Sequence, residues 1–184
     1  ITWLQQNGGI IHILINNTGG PAGGAAIDAK PEEFVNAFTN HLLCNQHLAQ
    51  VVAPGMKEAG YGRIINIIST SVKQPIPGLG VSNTIRGAVA NWAKTLSLEV
   101  AKDGITVNNV QPGPVDTDMN PANSDFAESL TQLMAVGRYG QVEEIASFVA
   151  YLAGPGGRFV TADPGEPKLI TLEACGQRVN LAQL

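Results

Sequence analysis

The amino-acid sequence predicts an open, doubly wound α/β sheet of parallel strands. Three observations carry this. Short β-branched apolar runs alternate with helical stretches of ten residues or more, a pattern of parallel strands joined by right-handed crossovers. The runs are apolar on both faces, as a sheet covered by helices on both sides requires. Small, polar and glycine-rich residues collect after each run, and the ligand crevice of such sheets lies beyond the carboxyl ends of the strands.

Residues 10–15 (IIHILI) read as a buried first strand, bounded by Gly8-Gly9 and by Asn16-Asn17-Thr18-Gly19-Gly20. Residues 31–59 read as a long helix opened by Pro-Glu-Glu, with Pro54 expected to kink or split it. Residues 63–68 (RIINII) form the second strand, followed by Ser69-Thr70-Ser71. Residues 82–102 form a second long helix, stopped by Gly104. Residues 105–110 (ITVNNV) form the third strand, followed by Gln111-Pro112-Gly113-Pro114. A further helix spans 143–152 and is closed by Gly154-Pro155. The turns before the strands are simple, so a site is expected at the carboxyl edge.

The 184 residues suffice for one domain, 1–184, with a substantial core. Charged residues make up 14% and glycines number 21, which suits a compact fold rather than a disordered or coiled-coil chain. The net charge of −4, without a run of Lys or Arg, argues against a nucleic-acid partner. No apolar stretch reaches the roughly 18 residues of a membrane span, and no signal peptide is visible. Cys44 and Cys175 have no metal-ligand spacing and offer no disulfide framework; they read as ordinary thiols in a reducing, cytoplasmic compartment. His12, His41 and His47 form no metal set; His12 reads as a residue inside the first strand and His41 as a helix residue beside Asn40.

The runs ILINNTGG, GRIINIIST and SNTIRGAVANWAKTLSLEVAKDGITVNNVQPGPVDTDM, in this order, resemble the short-chain dehydrogenase/reductase family, in particular its 3-oxoacyl-[acyl-carrier-protein] reductases. VGRYGQVEEIASFVAYLAGPGGRFVT is similar to the family's C-terminal helix. The resemblance implies a Rossmann-like fold, NAD or NADP as cofactor, a small carbonyl or alcohol substrate, and a homodimer or homotetramer. It implies that Asn16, Thr18 and Gly19 stand in the family's Asn-Asn-Ala-Gly segment beside the cofactor, where a plain turn is the other reading. It implies that Asn40 holds a water in a proton relay, where a solvated helix residue is the other reading, and that Ser69 hydrogen-bonds the substrate oxygen, where a turn-capping serine, or Thr70 or Ser71 as the donor, is the alternative. Pro112, Gly113, Val115 and Thr117 then face the nicotinamide; for Thr117 a capping hydroxyl is the alternative. Residues 118–130 match the family's variable specificity loop.

The chain departs from the family in three places. The signature Tyr-x-x-x-Lys is replaced: SNTIRGAV stands where the family reads YSASKGAV, so Ser82 and Arg86 hold the two catalytic positions. They share one helix face. In the family the lysine lowers the phenol pKa so that it exchanges a proton near neutrality. A serine hydroxyl is a far poorer acid and reaches about 4 Å less far. Arg86 can hold ribose hydroxyls or a phosphate as a fixed cation but cannot relay a proton. An arginine also stands here in halohydrin dehalogenases, which keep the tyrosine. Second, the chain begins at Ile1, near the end of the helix before the family's fourth strand, so the first βαβ unit and its phosphate cradle are expected to be absent. Gly19 to Gly24 reads as a substrate-side loop. Third, the tail from about residue 162 lacks the family's Asp-Gly-Gly turn; residues 168–172 could form a strand, and a shifted reading frame is one explanation.

Two functions are expected from this sequence. One is an NAD(P)-dependent oxidoreductase. The other is a non-catalytic relative or inactive fragment that keeps the fold and a dimer surface, with Leu42, Leu43, Leu48, Val52, Ala90, Trp92, Ala93 and Leu96 serving either that surface or the core.

Overall fold

The computed structural model describes residues 6, 7, 9–123, 127–132 and 134–162. Strands β1 (Ile13–Asn16), β2 (Gly62–Ile67) and β3 (Ile105–Val110) form a parallel sheet in the order β1-β2-β3. The third strand occupies the expected residues and the second begins and ends one position early. The first is shorter than expected, because its pairing begins at Ile13 opposite Arg63, which leaves His12 outside it. Residues 160–162 run along the outer edge of β3, where the Ala162 N–H donates to the Val107 carbonyl at 3.0 Å. The expected strand at 168–172 and the atypical tail lie outside the described residues.

The helices are α1 (Pro31–Phe38), α2 (Cys44–Glu58), α3 (Gly80–Val100), α4 (Ala127–Gln132) and α5 (Val142–Ala153). Pro31 opens α1, and the Glu33 carboxylate reaches back to accept from the Lys30 N–H at 2.7 Å. The expected break at Pro54 does not occur; α2 runs through it to Glu58. The break lies earlier, in a π-helical turn at Thr39–Leu43. There the Thr39 hydroxyl donates to the Val35 carbonyl at 2.8 Å, a back-bond that bends helices. Gly104 ends the turn after α3 with φ of 78°, and a side chain there would meet the Gly60 carbonyl. Among the described residues no helix is long and apolar enough to cross a membrane.

α2 and α3 cover one sheet face: Ala49, Val52, Met56 and Ala93 pack on Ile64, Ile105 and Val107. α5 covers the other, placing Val149 and Leu152 on Ile65 and Val110. Among the described residues the α5 cluster lies on β2 and β3, and Ile13 and Ile15 of β1 are 43% and 47% exposed.

Asn16, Asn66 and Asn109 stand opposite one another in the parallel register. Adjacent strands lie about 4.8 Å apart, a gap that side-chain amides can bridge. The Asn16 amide donates to the Asn66 oxygen at 2.8 Å and the Asn66 amide to the Asn109 oxygen at 3.0 Å. The Asn109 amide then reaches the Ala90 carbonyl on α3 at 3.3 Å.

Replacing Asn66, 1% exposed, with Ala leaves the Asn16 amide and the Asn109 oxygen unpaired in the core. The expected loss of stability is about 3 kcal/mol. Urea unfolding should show a lower midpoint at unchanged slope.

Candidate active site at the carboxyl ends of the strands

Beyond the ends of the three strands, α3 and the π turn bring a cation, an imidazole and several hydroxyls together. Ser69 follows β2 and caps a 3-10 turn at Thr70–Val72; its oxygen accepts the Ser71 N–H at 3.1 Å, leaving its own proton free to donate. The Thr70 N–H is bound by the Pro112 carbonyl at 3.2 Å, which ties the segment after β2 to the one after β3.

Ser82 lies in the first turns of α3 and is 9% exposed. One turn on, the Arg86 Nη1 donates to the Ile67 carbonyl at 2.7 Å, at the last residue of β2. Burial lowers the Arg86 pKa from the ordinary guanidinium range.

His41 enters from the π turn. It is 4% exposed, and its Nδ1 shares a hydrogen with the Thr18 hydroxyl at 2.6 Å. Burial, and secondarily the charge of Arg86, lowers its pKa from 6.5. Its Nε2 has no hydrogen-bond partner among the described residues. His41 also lines a cavity of about 200 Å3 together with Gly19, Gly20, Asn36, Asn40 and Val81.

Of the residues singled out in the sequence, Thr18 bonds His41, Gly19 and Asn40 line the same cavity as His41, and Arg86, one turn after Ser82 on α3, is tied to Ile67, two positions before Ser69. Asn40 is exposed at the cavity wall, while its neighbour His41 points inward to Thr18 and Arg86. His41 was readable as an inward residue: Ala37, His41, Asn45 and Ala49 recur every four positions, and all four are buried. Asn16 spends its amide on the sheet, and its buried oxygen has no partner. Val115 bridges Gly140, which holds the segment after Pro112-Gly113 in place. Thr117 is exposed, and its hydroxyl accepts the Asn120 N–H at 3.2 Å, the capping arrangement. Tyr61 and Tyr139 are engaged elsewhere, Tyr61 on the Ala153 carbonyl and Tyr139 in a cluster with Ala127 and Met134.

The buried His41 gives a testable pH dependence. Its folded pKa lies below its unfolded value, so the unfolded chain takes up the proton first as pH falls. Stability is expected to decline from about pH 6.5 downward until the lowered pKa is passed, with a slope of at most about 1.4 kcal/mol per pH unit. His41→Gln should lack this component, measured as the difference between wild-type and variant urea midpoints from pH 8 to 5.

A family model described as enoyl-(acyl carrier protein) reductase matches residues 1–164. The chain is 35% identical over 158 residues to the cyclic-di-GMP-binding biofilm dispersal mediator protein of Escherichia coli K12, covering 86% of this chain and 66% of that one. It is 35% identical over 182 residues to a putative ketoacyl reductase of Streptomyces coelicolor, covering 91% of this chain and 67% of the other. Its structure superposes on a blue fluorescent protein from a metagenomic library, solved with NADPH. The TM-score is 0.80 and the identity 32%, over 87% of this chain and 64% of that one. The chain thus spans about two thirds of the length of these relatives. The matched length and the shared fold establish that the chain belongs to the short-chain dehydrogenase/reductase family.

Proposed function

We propose that this chain serves an NAD(P)-dependent oxidoreductase that interconverts a carbonyl and an alcohol on a small molecule in the cytoplasm. The observation that carries the reading is the Ser69 hydroxyl, held by the Ser71 N–H at the carboxyl end of β2 beside the α3 face that presents Ser82 and Arg86. The ketoacyl reductase relative and the NADPH-bound neighbour support it.

The residues fit the nicotinamide half of such a cofactor. The guanidinium of Arg86 has an unpartnered Nε, and open space surrounds the Cα of Gly19 and Gly20. The residue 19–24 loop is not a phosphate cradle: it ends in a bridge from Gly24 to Leu79 instead of opening a helix. When bound, the nicotinamide supplies or accepts the hydride. Ser69 donates to the substrate oxygen and orients it. Thr18, Gly19, Pro112, Gly113, Val115 and Thr117 border the cofactor side, with Asn16 beneath them holding the sheet. Asn40 stands at the mouth of the adjoining cavity, where it can hold water. Ser82 fills the position of the proton donor without a phenol's acidity, so proton transfer is the weak step.

The second reading, a non-catalytic binding relative, is favoured by Ser82 and Arg86 together and by the relative named for binding cyclic di-GMP. Association into a homodimer or homotetramer belongs to both readings. Val52, Ala90 and Ala93 are already core residues, while Leu43 on the π turn stays 38% exposed.

Calorimetric titration with NADH and NADPH, with Trp92 fluorescence alongside, separates the readings. Saturable binding is expected under the first, and none at millimolar cofactor under the second. The double change Ser82→Tyr with Arg86→Lys should raise the rate of carbonyl reduction at least about 100-fold if proton transfer is limiting. Sedimentation equilibrium should return a dimer or tetramer mass; a monomer at all concentrations removes self-association from the proposal.

A further inference from the structure

The guanidinium of Arg86 has one edge fixed and the other unused. Nη1 is bound to the Ile67 carbonyl at 2.7 Å. Nε is buried with no partner, and Nη2 has none among the described residues. Nε–H and Nη2–H point side by side, and this two-pronged edge matches two oxygens of a single planar or tetrahedral anion. The backbone carbonyl therefore orients the group and leaves its bidentate edge without a partner among the described residues.

Among the described residues nothing nearby offsets the charge. The ion pairs Lys57–Asp103 and Arg138–Glu144 do not include Arg86. Burial alone accounts for its altered pKa, with no carboxylate contributing. Its buried neighbour His41 adds a donor-capable ring rather than a negative charge, and Glu33, at the wall of the adjoining cavity, accepts from the Lys30 N–H. One turn before Arg86 on the same helix face, the Ser82 hydroxyl also has no hydrogen-bond partner among the described residues. A partly desolvated cation flanked by spare donors and lacking acceptors is stabilised by a ligand made of acceptors.

We propose that the Nε/Nη2 edge of Arg86, with the Ser82 hydroxyl beside it, is a binding site for a small oxyanion. The anion is either a carboxylate of the substrate or a phosphate of the bound nucleotide. In a lysine, a single mobile ammonium would meet the same oxygens without a fixed fork. The site does not rest on hydride transfer, since an anion can bind whether or not the chain turns over.

The test uses the full 184-residue chain. Formate, acetate and inorganic phosphate are titrated at constant ionic strength against chloride, read by calorimetry and by the Nε–H resonance of Arg86 in NMR spectra. The expected result is saturable oxyanion binding at least about tenfold tighter than chloride, with a shift of that resonance. Arg86→Lys should weaken binding about tenfold or more through loss of one charged hydrogen bond, while circular dichroism confirms the fold. Formate or acetate binding more tightly than phosphate assigns the site to a substrate carboxylate; the reverse order assigns it to a nucleotide phosphate. Oxyanions binding no tighter than chloride to the wild-type chain would overturn the proposal, as would Arg86→Lys binding them as well as wild type. Anion binding without cofactor binding leaves this site standing and defeats the oxidoreductase reading alone.

Discussion

The chain of amides from Asn16 through Asn66 to Asn109 and the Ala90 carbonyl couples all three strands to the helix that carries the site. A parallel sheet gains register mainly from nondirectional burial, and apolar side chains tolerate small slips along a helix. Side-chain amides do not, since each must face its partner within hydrogen-bonding distance or leave a buried polar group unpaired. A rotation of α3 would break the bond to Ala90, and a shift of β2 would break both bonds of Asn66. The Arg86 bond to the Ile67 carbonyl, one residue beyond Asn66, is a second tie between the same two elements. Two directional contacts one turn apart on α3 hold both its rotation and its height over the strand ends.

That constraint fixes where a side chain at position 82 can reach, so on the proposed reading local rearrangement would not restore a phenol there. The side chain at 82 is set by the same helix as Arg86, and a serine there cannot extend to where a tyrosine hydroxyl would lie. The other tyrosines serve different regions: the Tyr61 ring stacks against Arg63 with 4.2 Å from the guanidinium to the ring centre, and its hydroxyl closes α5 at Ala153. His41 is the group with acid–base chemistry that the fold brings beside Arg86, and it arrives through the π turn. An inserted residue rotates the later turns of a helix, and such insertions concentrate where a side chain must be aimed off the regular stripe.

Much of the fold was legible because its signals are local. The run ITVNNV is bounded by Gly104 and by Pro112-Gly113, so β3 could be delimited to the residue. The position of Ser69 just after β2 was readable from the end of the run RIINII. Other features depend on distant partners. Nothing in ILIN tells which helix lies over Ile13 and Ile15, and the answer, none of those described on that face, comes from the reach of α5. The asparagine ladder needed the register between strands, which single runs do not carry. Position matching pointed to Asn40, whereas the four-residue recurrence from Ala37 to Ala49 turns His41 inward. Pro54 misled because a proline breaks a helix only where the surrounding packing does not hold the turn.

If Ser82 and Arg86 stand in place of a tyrosine and a lysine, as proposed, the pair amounts to one change in the chemistry open to the site. An ammonium beside a phenol is useful because the cation moves the phenol's pKa toward neutrality. Without the phenol, a mobile point charge has no acid to tune. A guanidinium held by the Ile67 carbonyl is suited to binding instead. Its charge persists at any working pH, its donors have fixed directions, and burial strengthens whatever acceptor meets them. On the proposed reading, Ser82 and Arg86 together would favour holding a negatively charged group over proton exchange, beside a Ser69 hydroxyl held by the Ser71 N–H and a segment tied to the Pro112 carbonyl.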